Sequence, residues 1–374
     1  MTVARVVVVI VGLVVLAVDA TAVVRTLIVT RPPGRPLSLP IRTVRRAFYG
    51  AARHTRTYGA RDRVLAVMEP IALVVQLAVW LTVAMLGFAL LFWGFWGGSF
   101  DAAFGEAGSS LYTLGIASAH QTPGHVIDFL AAGTGMVLVG LQIAYLPTLY
   151  NSYNRRETLV TLLESRAGAP AWGPELLMRH QLIAGVENLP SLFAEWERWA
   201  ADVAESHTSY PSLLHLRSPR TKNSWIVSLL AVMDAAAFYL AVDAHGAPIE
   251  ARMCVRMGFT CLRDIAAVRR IPFEPDPDPD DPIVLPEEEF VSAYDRLATL
   301  GFPMSRSADE AWPHFRGWRV NYESVIYGLA KDLDAPPARW AGPRLGALAE
   351  SLVPIRPVDR QPSAPPDPVT PGSR

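Results

Sequence analysis

Gly97–Asp128 reads GGSFDAAFGEAGSSLYTLGIASAHQTPGHVID and contains neither arginine nor lysine. It stands between two apolar stretches, one from Val64 to about Trp96 and one from Val126 to about Tyr150. A bilayer core ~30 Å thick needs about 20 apolar residues in a helix rising ~1.5 Å per residue, so each stretch predicts a membrane span. Inside the segment, Asp101–Tyr112 has the amphipathic pattern and length of one short helix. Thr113-Leu114-Gly115-Ile116-Ala117-Ser118 follows without a helical pattern, and then comes a polar turn, Ala119–Gly124. A short helix and an irregular hexapeptide between two spans predict a chain that dips into the bilayer and returns. Irregular backbone at that depth is tolerated only where it is buried in protein or lines a water-filled path.

Working outward, Val6–Val24 predicts another span, near the N-terminus. Ala20-Thr21-Ala22 has the look of a signal-peptide cleavage site. The next segment argues for a retained helix: residues 25–63 hold ten arginines against one acid, Asp62. Cleavage would export that basic loop, against the rule that arginine and lysine stay on the cytoplasmic side. The same rule places the N-terminus and residues 97–128 outside, and everything beyond residue 151 in the cytoplasm. The chain has 374 residues, 51% of them hydrophobic and 18% charged, with the apolar ones crowded into the first 150 positions. A net charge of −1 with no dominant basic face excludes nucleic acid as the expected partner. Arginine outnumbers lysine 32 to 2, which points to a GC-rich coding sequence and a bacterial inner membrane.

The order of elements from 64 to 155 resembles the two-span pore module of potassium channels: outer helix, pore helix, filter signature T-V-G-Y-G-D, and inner helix with a hinge glycine. Here T-L-G-I-A-S stands at the signature. Thr113, Leu114 and Gly115 match, Ile116 replaces the aromatic residue, and Ala117 and Ser118 replace Gly-Asp. The resemblance covers about a quarter of the chain and implies a homotetramer with one pore loop per subunit. In such a filter a ring of backbone carbonyls replaces the ion's hydration shell, and glycines at positive φ let successive carbonyls aim at the axis. Gly115 keeps that freedom, whereas Ala117 in a left-handed conformation would cost roughly 1–2 kcal/mol per subunit. The resemblance implies a potassium-selective pore, while Ala117 is equally compatible with a wider, non-selective or a non-conducting one.

Asp101, Glu106 and Asp128 would then stand at the outer mouth, either concentrating cations or serving as solvated loop acids. His120 is either a proton sensor or an ordinary mouth residue. Gly133, Gly135 and Gly140 on the inner helix fit a gating hinge and close helix packing equally well. Pro147 removes a backbone donor and predicts a kink near the cytoplasmic end. Asp19 and Glu69 lie shallow in the spans and are expected to pair structurally.

Beyond residue 155 the sequence predicts a helical cytoplasmic domain, 156–353, interrupted by an acidic proline-rich linker, 274–283, and followed by a disordered tail, 354–374. Helical patterns fall at about 155–166, 174–186, 190–206, 224–243, 249–268, 286–299, 309–333 and 338–352. Trp225–Val242 is borderline for a span; insertion would export Arg252, Arg256 and Arg263, so a buried core helix with Asp234 bonded inside the bundle is the better reading. Cys254 and Cys261 read as buried inert thiols. No metal spacing, nucleophile elbow or phosphate-binding glycine loop is present, so neither an enzyme nor a cofactor is expected. The expected fold is thus all-α: an N-terminal transmembrane helix (1–30), a basic cytoplasmic loop (31–63), the pore module (64–155) and the helical domain. Its expected partners are the lipid bilayer, three copies of itself and permeant monovalent cations. The rival reading is a non-conducting membrane scaffold or sensor whose helical domain binds a partner.

Overall fold

The computed structural model describes residues 2–27, 39–117 and 122–342. Among these every regular element is helical: α1 Val3–Leu27, α2 Leu39–Ala52, α3 Tyr58–Ala66, α4 Met68–Trp96, α5 Phe100–Leu111, α6 Thr122–Ala167, α7 Gly173–Leu182, α8 Leu189–Ser209, α9 Trp225–Val242, α10 Ile249–Arg269, α11 Glu287–Thr299, α12 Ala308–Arg319 and α13 Glu323–Asp332. Four of these stretches are long and apolar enough to cross a membrane: α1, α3 with α4, α6 and α9.

The chain forms two compact units. The first comprises Met1–Thr158, Ala201–Thr221 and Cys261–Pro272; the second comprises Leu159–Ala200, Lys222–Thr260 and Phe273–Arg374. Sequence patterning alone suggests one boundary near residue 155. The observed one lies inside α6, and two later segments return to the first unit.

In the first unit α1 packs along α4 through small residues. A methyl group on Gly12 would lie 3.0 Å from the Gly87 carbonyl oxygen, and one on Gly87 would lie 2.7 Å from Leu16. Gly94 likewise leaves room for Val9. Small residues let apolar helices approach closely where no water drives them together. Trp80, Phe88 and Phe92 of α4, Ala103, Ala107 and Leu111 of α5, and Ile127, Ala131 and Leu138 of α6 share one core. Between residues 127 and 149 the buried positions of α6 are Ile127, Ala131, Gly135, Leu138, Gln142, Tyr145 and Leu149, a stripe at helical spacing.

Several sequence expectations change here. Within the expected basic loop, 31–63, lie helix α2 and most of α3, which runs on to Ala66, with Phe48 and Tyr49 of α2 packed on Ala52, Leu65 and Met68. The third apolar stretch and the helix expected at 155–166 are one uninterrupted helix, α6, which accommodates Pro147 internally. The pattern over 309–333 divides into α12 and α13, because the Asn321 side chain donates to the carbonyls of Gly317 and Trp318 and ends α12. Residues 338–342 are not helical, and the remainder of 338–352, like the tail 354–374, lies outside the described residues.

The second unit is built around α9, whose residues are all buried except Leu240. Arg319 of α12 is fully buried and donates to Asp234 Oδ1 at 2.5 Å, to Glu323 Oε1 at 2.9 Å and to the Trp340 carbonyl at 2.6 Å. The Tyr322 hydroxyl donates to the same Asp234 oxygen at 2.8 Å. A charge in the middle of an apolar helix is thus paired and hydrogen-bonded, the condition under which a buried charge persists. Phe238, Phe290, Phe315 and Trp340 stack around it. Cys254 and Cys261 are free and buried, and burial pushes both thiols up, away from the reactive thiolate.

Candidate functional site

The link between α4 and α6 is organised by two adjacent hydroxyls. Ser99 caps α5 by accepting from the Ala102 amide at 3.2 Å. Asp101 sits in the first turn of α5, where an acid is favoured by the helix dipole whatever else it does. At its other end α5 closes with a paired C-terminal motif: the Leu114 amide donates to the Ser109 carbonyl at 2.8 Å and the Thr113 amide to the Ser110 carbonyl at 3.0 Å. That motif needs a left-handed residue after the helix, ordinarily glycine. Here Thr113 fills it, with φ 56°. A β-branched residue in that region is a backbone outlier, and such strain persists only where the surroundings impose it.

The chain then continues without helix through Ala117, with Gly115 also left-handed at φ 68°. Ser109 is 2% exposed, and its Oγ both donates to the Ala117 carbonyl at 2.9 Å and accepts from the Ala117 amide at 3.0 Å. One side chain of α5 thus clamps the far end of the irregular segment. Leu114 and Ile116 between the clamps are 59% and 80% exposed, a large apolar exposure for so short a stretch. The neighbouring Ser110 donates to Asp128 Oδ1 of α6 at 2.5 Å, and His125 Nδ1 lies 3.7 Å from the other Asp128 oxygen.

These positions sort the residues singled out in the sequence. Thr113, Leu114, Gly115, Ile116 and Ala117 do form one irregular segment; Ser118 and His120 lie outside the described residues. The left-handed strain falls on Thr113, while Ala117, where the sequence argument placed it, is not among the positive-φ residues. Asp101 is exposed, Glu106 is half-buried, and Asp128 is tied to Ser110. Gly135 is a packing glycine, because a methyl group there would run into the Leu111 carbonyl at the end of α5. Gly133 and Gly140 face open space. Sequence reasoning missed Ser109 and Ser110. The available signal was a pair of adjacent hydroxyls in the last turn of an otherwise apolar helix.

A second polar cluster lies at the other end of the same unit. Arg45 of α2 grips Glu69 with two hydrogen bonds of 3.0 and 2.7 Å, which supplies the structural pairing expected for that acid. Arg217 binds Asp62 and the Tyr58 hydroxyl. Arg156, fully buried, donates to the Leu213 and Leu216 carbonyls at 2.7 Å each and to His207 Nε2 at 2.9 Å. The short turn Pro211–His215 is therefore pinned to α6. Because Arg156 can only donate, the His207 proton sits on Nδ1, toward Ser206 Oγ at 3.0 Å. Burial and the Arg156 charge hold His207 well below its ordinary pKa. His215 is likewise held well below, by burial and then by the charges of Arg45, Arg269 and Arg217. No family model, curated protein or solved structure matches this chain.

Proposed function

We propose that this protein is the subunit of a homotetrameric, cation-conducting pore in a bacterial inner membrane, with α5 as pore helix, Thr113–Ser118 as the ion path and α6 as inner helix. The observation that carries the reading is the clamped irregular segment. Thr113–Ala117 is non-helical, strained at Thr113 and held by Ser109 between two helices long enough to span a bilayer. Irregular backbone in that position needs a protein-lined or water-lined environment, and three further copies around a shared axis would supply it. The exposed apolar residues Leu114 and Ile116, with Met136, Val137 and Ile143 of α6, provide surface for lipid and for those copies. The acids Asp101, Glu106 and Asp128, with no arginine or lysine between 97 and 128, favour cations at the outer side. In this orientation α1, α4 and α6 cross the membrane. Helix α9 stays in the cytoplasmic part, since it is enclosed by its own unit and its one charge is paired.

One observation favours the rival, a non-conducting membrane scaffold. The Ala117 carbonyl is taken by Ser109 Oγ and is turned toward α5 rather than offered to an ion. Reconstitution of the purified chain into planar bilayers separates the two. The channel reading expects cation current that falls when Ser109→Ala releases Ala117, and a change of selectivity when Ala117→Gly and Ser118→Asp are introduced together. Silence of the native chain and of that double variant, under every cation tried, would leave the scaffold reading standing.

A further inference from the structure

Residues 25–69 hold ten arginines and two acids, Asp62 and Glu69. Both acids are already taken within the chain, Asp62 by Arg217 and Glu69 by Arg45. The guanidinium groups of Arg25, Arg42, Arg46, Arg53, Arg56 and Arg63 make no hydrogen bond or ion pair with any described residue. A surplus of one sign at this density repels itself until counter-charge arrives from outside the chain.

The fold says where that counter-charge would lie. Helices α1 and α4 run antiparallel, with Val9 beside Gly94 and Leu16 beside Gly87. Leu27, two residues past Arg25, packs on the cluster that holds Leu73 of α4. Glu69, gripped by Arg45 of α2, lies one turn before Leu73. Arg25 and α2 therefore stand at the same end of the two spans, where lipid headgroups begin. Helix α2 is built for that depth. Its buried side, Phe48 and Tyr49, packs on Leu65 and Met68. Leu39, Arg46, Ala47 and Ala51 are exposed, so its open side mixes apolar residues with charge, as a helix lying in the interface requires. Guanidinium forks match lipid phosphate in both charge and shape.

We infer that α2, with Arg42 and Arg46, and Arg25 at the end of α1 form a binding surface for anionic phospholipid in the adjoining leaflet. This surface requires α1 and α4 to cross a membrane, as proposed above, and does not require conduction. The test uses the full-length protein. In one arm, short-chain phosphatidylglycerol or phosphatidylcholine is titrated into the detergent-solubilised chain and Tm is followed. Phosphatidylglycerol should raise Tm at lower concentration than phosphatidylcholine, and added sodium chloride should weaken that preference by screening. Arg42→Gln and Arg46→Gln should each raise the phosphatidylglycerol midpoint about fivefold, the equivalent of ~1 kcal/mol per arginine near an anionic surface. Neither side chain bonds to a described residue, so both variants should fold. In the second arm, Ala47→Cys and Val14→Cys are spin-labelled in phosphatidylglycerol-containing vesicles, the native thiols being buried. The label at 47 should report headgroup depth and the label at 14 the hydrocarbon core. Equal midpoints for the two lipids, or unchanged midpoints in both arginine variants, would overturn the surface. A label at 47 in bulk water with the label at 14 in lipid would overturn it alone, whereas both labels in water would overturn the membrane reading with it.

Discussion

Helices α1 and α9 are both apolar enough to cross a membrane, and they meet opposite surroundings. Only 22% of the most apolar window of α1 is buried, against 94% of that of α9. Helix α1 touches its own chain along one narrow glycine-lined seam with α4 and leaves Val7, Val11, Val14 and Val18 exposed. Helix α9 is wrapped on every side and carries its one charge into an arginine-centred network. Hydropathy reports only that a segment leaves water. Whether it leaves for lipid or for protein depends on what the rest of the chain can place around it.

That contrast is open to direct attack, beginning with its strongest element. Arg319→Met should strand Asp234 as an unpaired buried charge and cost the second unit about 3–5 kcal/mol, whereas Arg319→Met with Asp234→Leu should recover most of the loss. Urea unfolding of the three proteins in detergent decides it; equal stability of the single and double variants would mean that α9 is not held by this pair. Gly87→Val should force Leu16 aside and cost about 1–3 kcal/mol by overpacking. Its signature is faster hydrogen exchange in α1 with no change in α9.

The same substitution on both helices sharpens the comparison. Val232→Ala, at a fully buried site of α9, should cost about 2 kcal/mol from lost transfer energy and a residual cavity. Val14→Ala, on the exposed face of α1, should stay within about 0.5 kcal/mol. Comparable losses would show that α1 has a protein partner over that face.

Acid offers the mildest probe. His207 and His215 are neutral in the folded first unit, with pKa values depressed well below 6.5. The unfolded chain takes up those protons first, so stability is full above about pH 6.5 and falls below it. Each histidine contributes about 1.4 kcal/mol per pH unit until its folded value is reached. Unfolding followed from pH 7 to 5 should show this slope, and His207→Gln should remove its share.

The residues fixed a good deal directly. The apolar runs around 64–96 and 126–150, the helical periods of the later chain, and the charge asymmetry between 25–63 and 97–128 follow from composition and spacing, which are local properties of the chain. The boundaries of α7, α9, α10 and α11 were legible to within a few residues for the same reason, whereas the break between α12 and α13 and the non-helical residues 338–342 were not. What only the tertiary structure decided were the relations between distant residues: that Ser109 clamps Ala117, that Gly135 yields to the Leu111 carbonyl, that strain falls on Thr113, and that Arg319 meets Asp234 across 85 positions. No local pattern encodes those pairings, because each depends on two surfaces being brought to within a hydrogen bond or a van der Waals contact of each other.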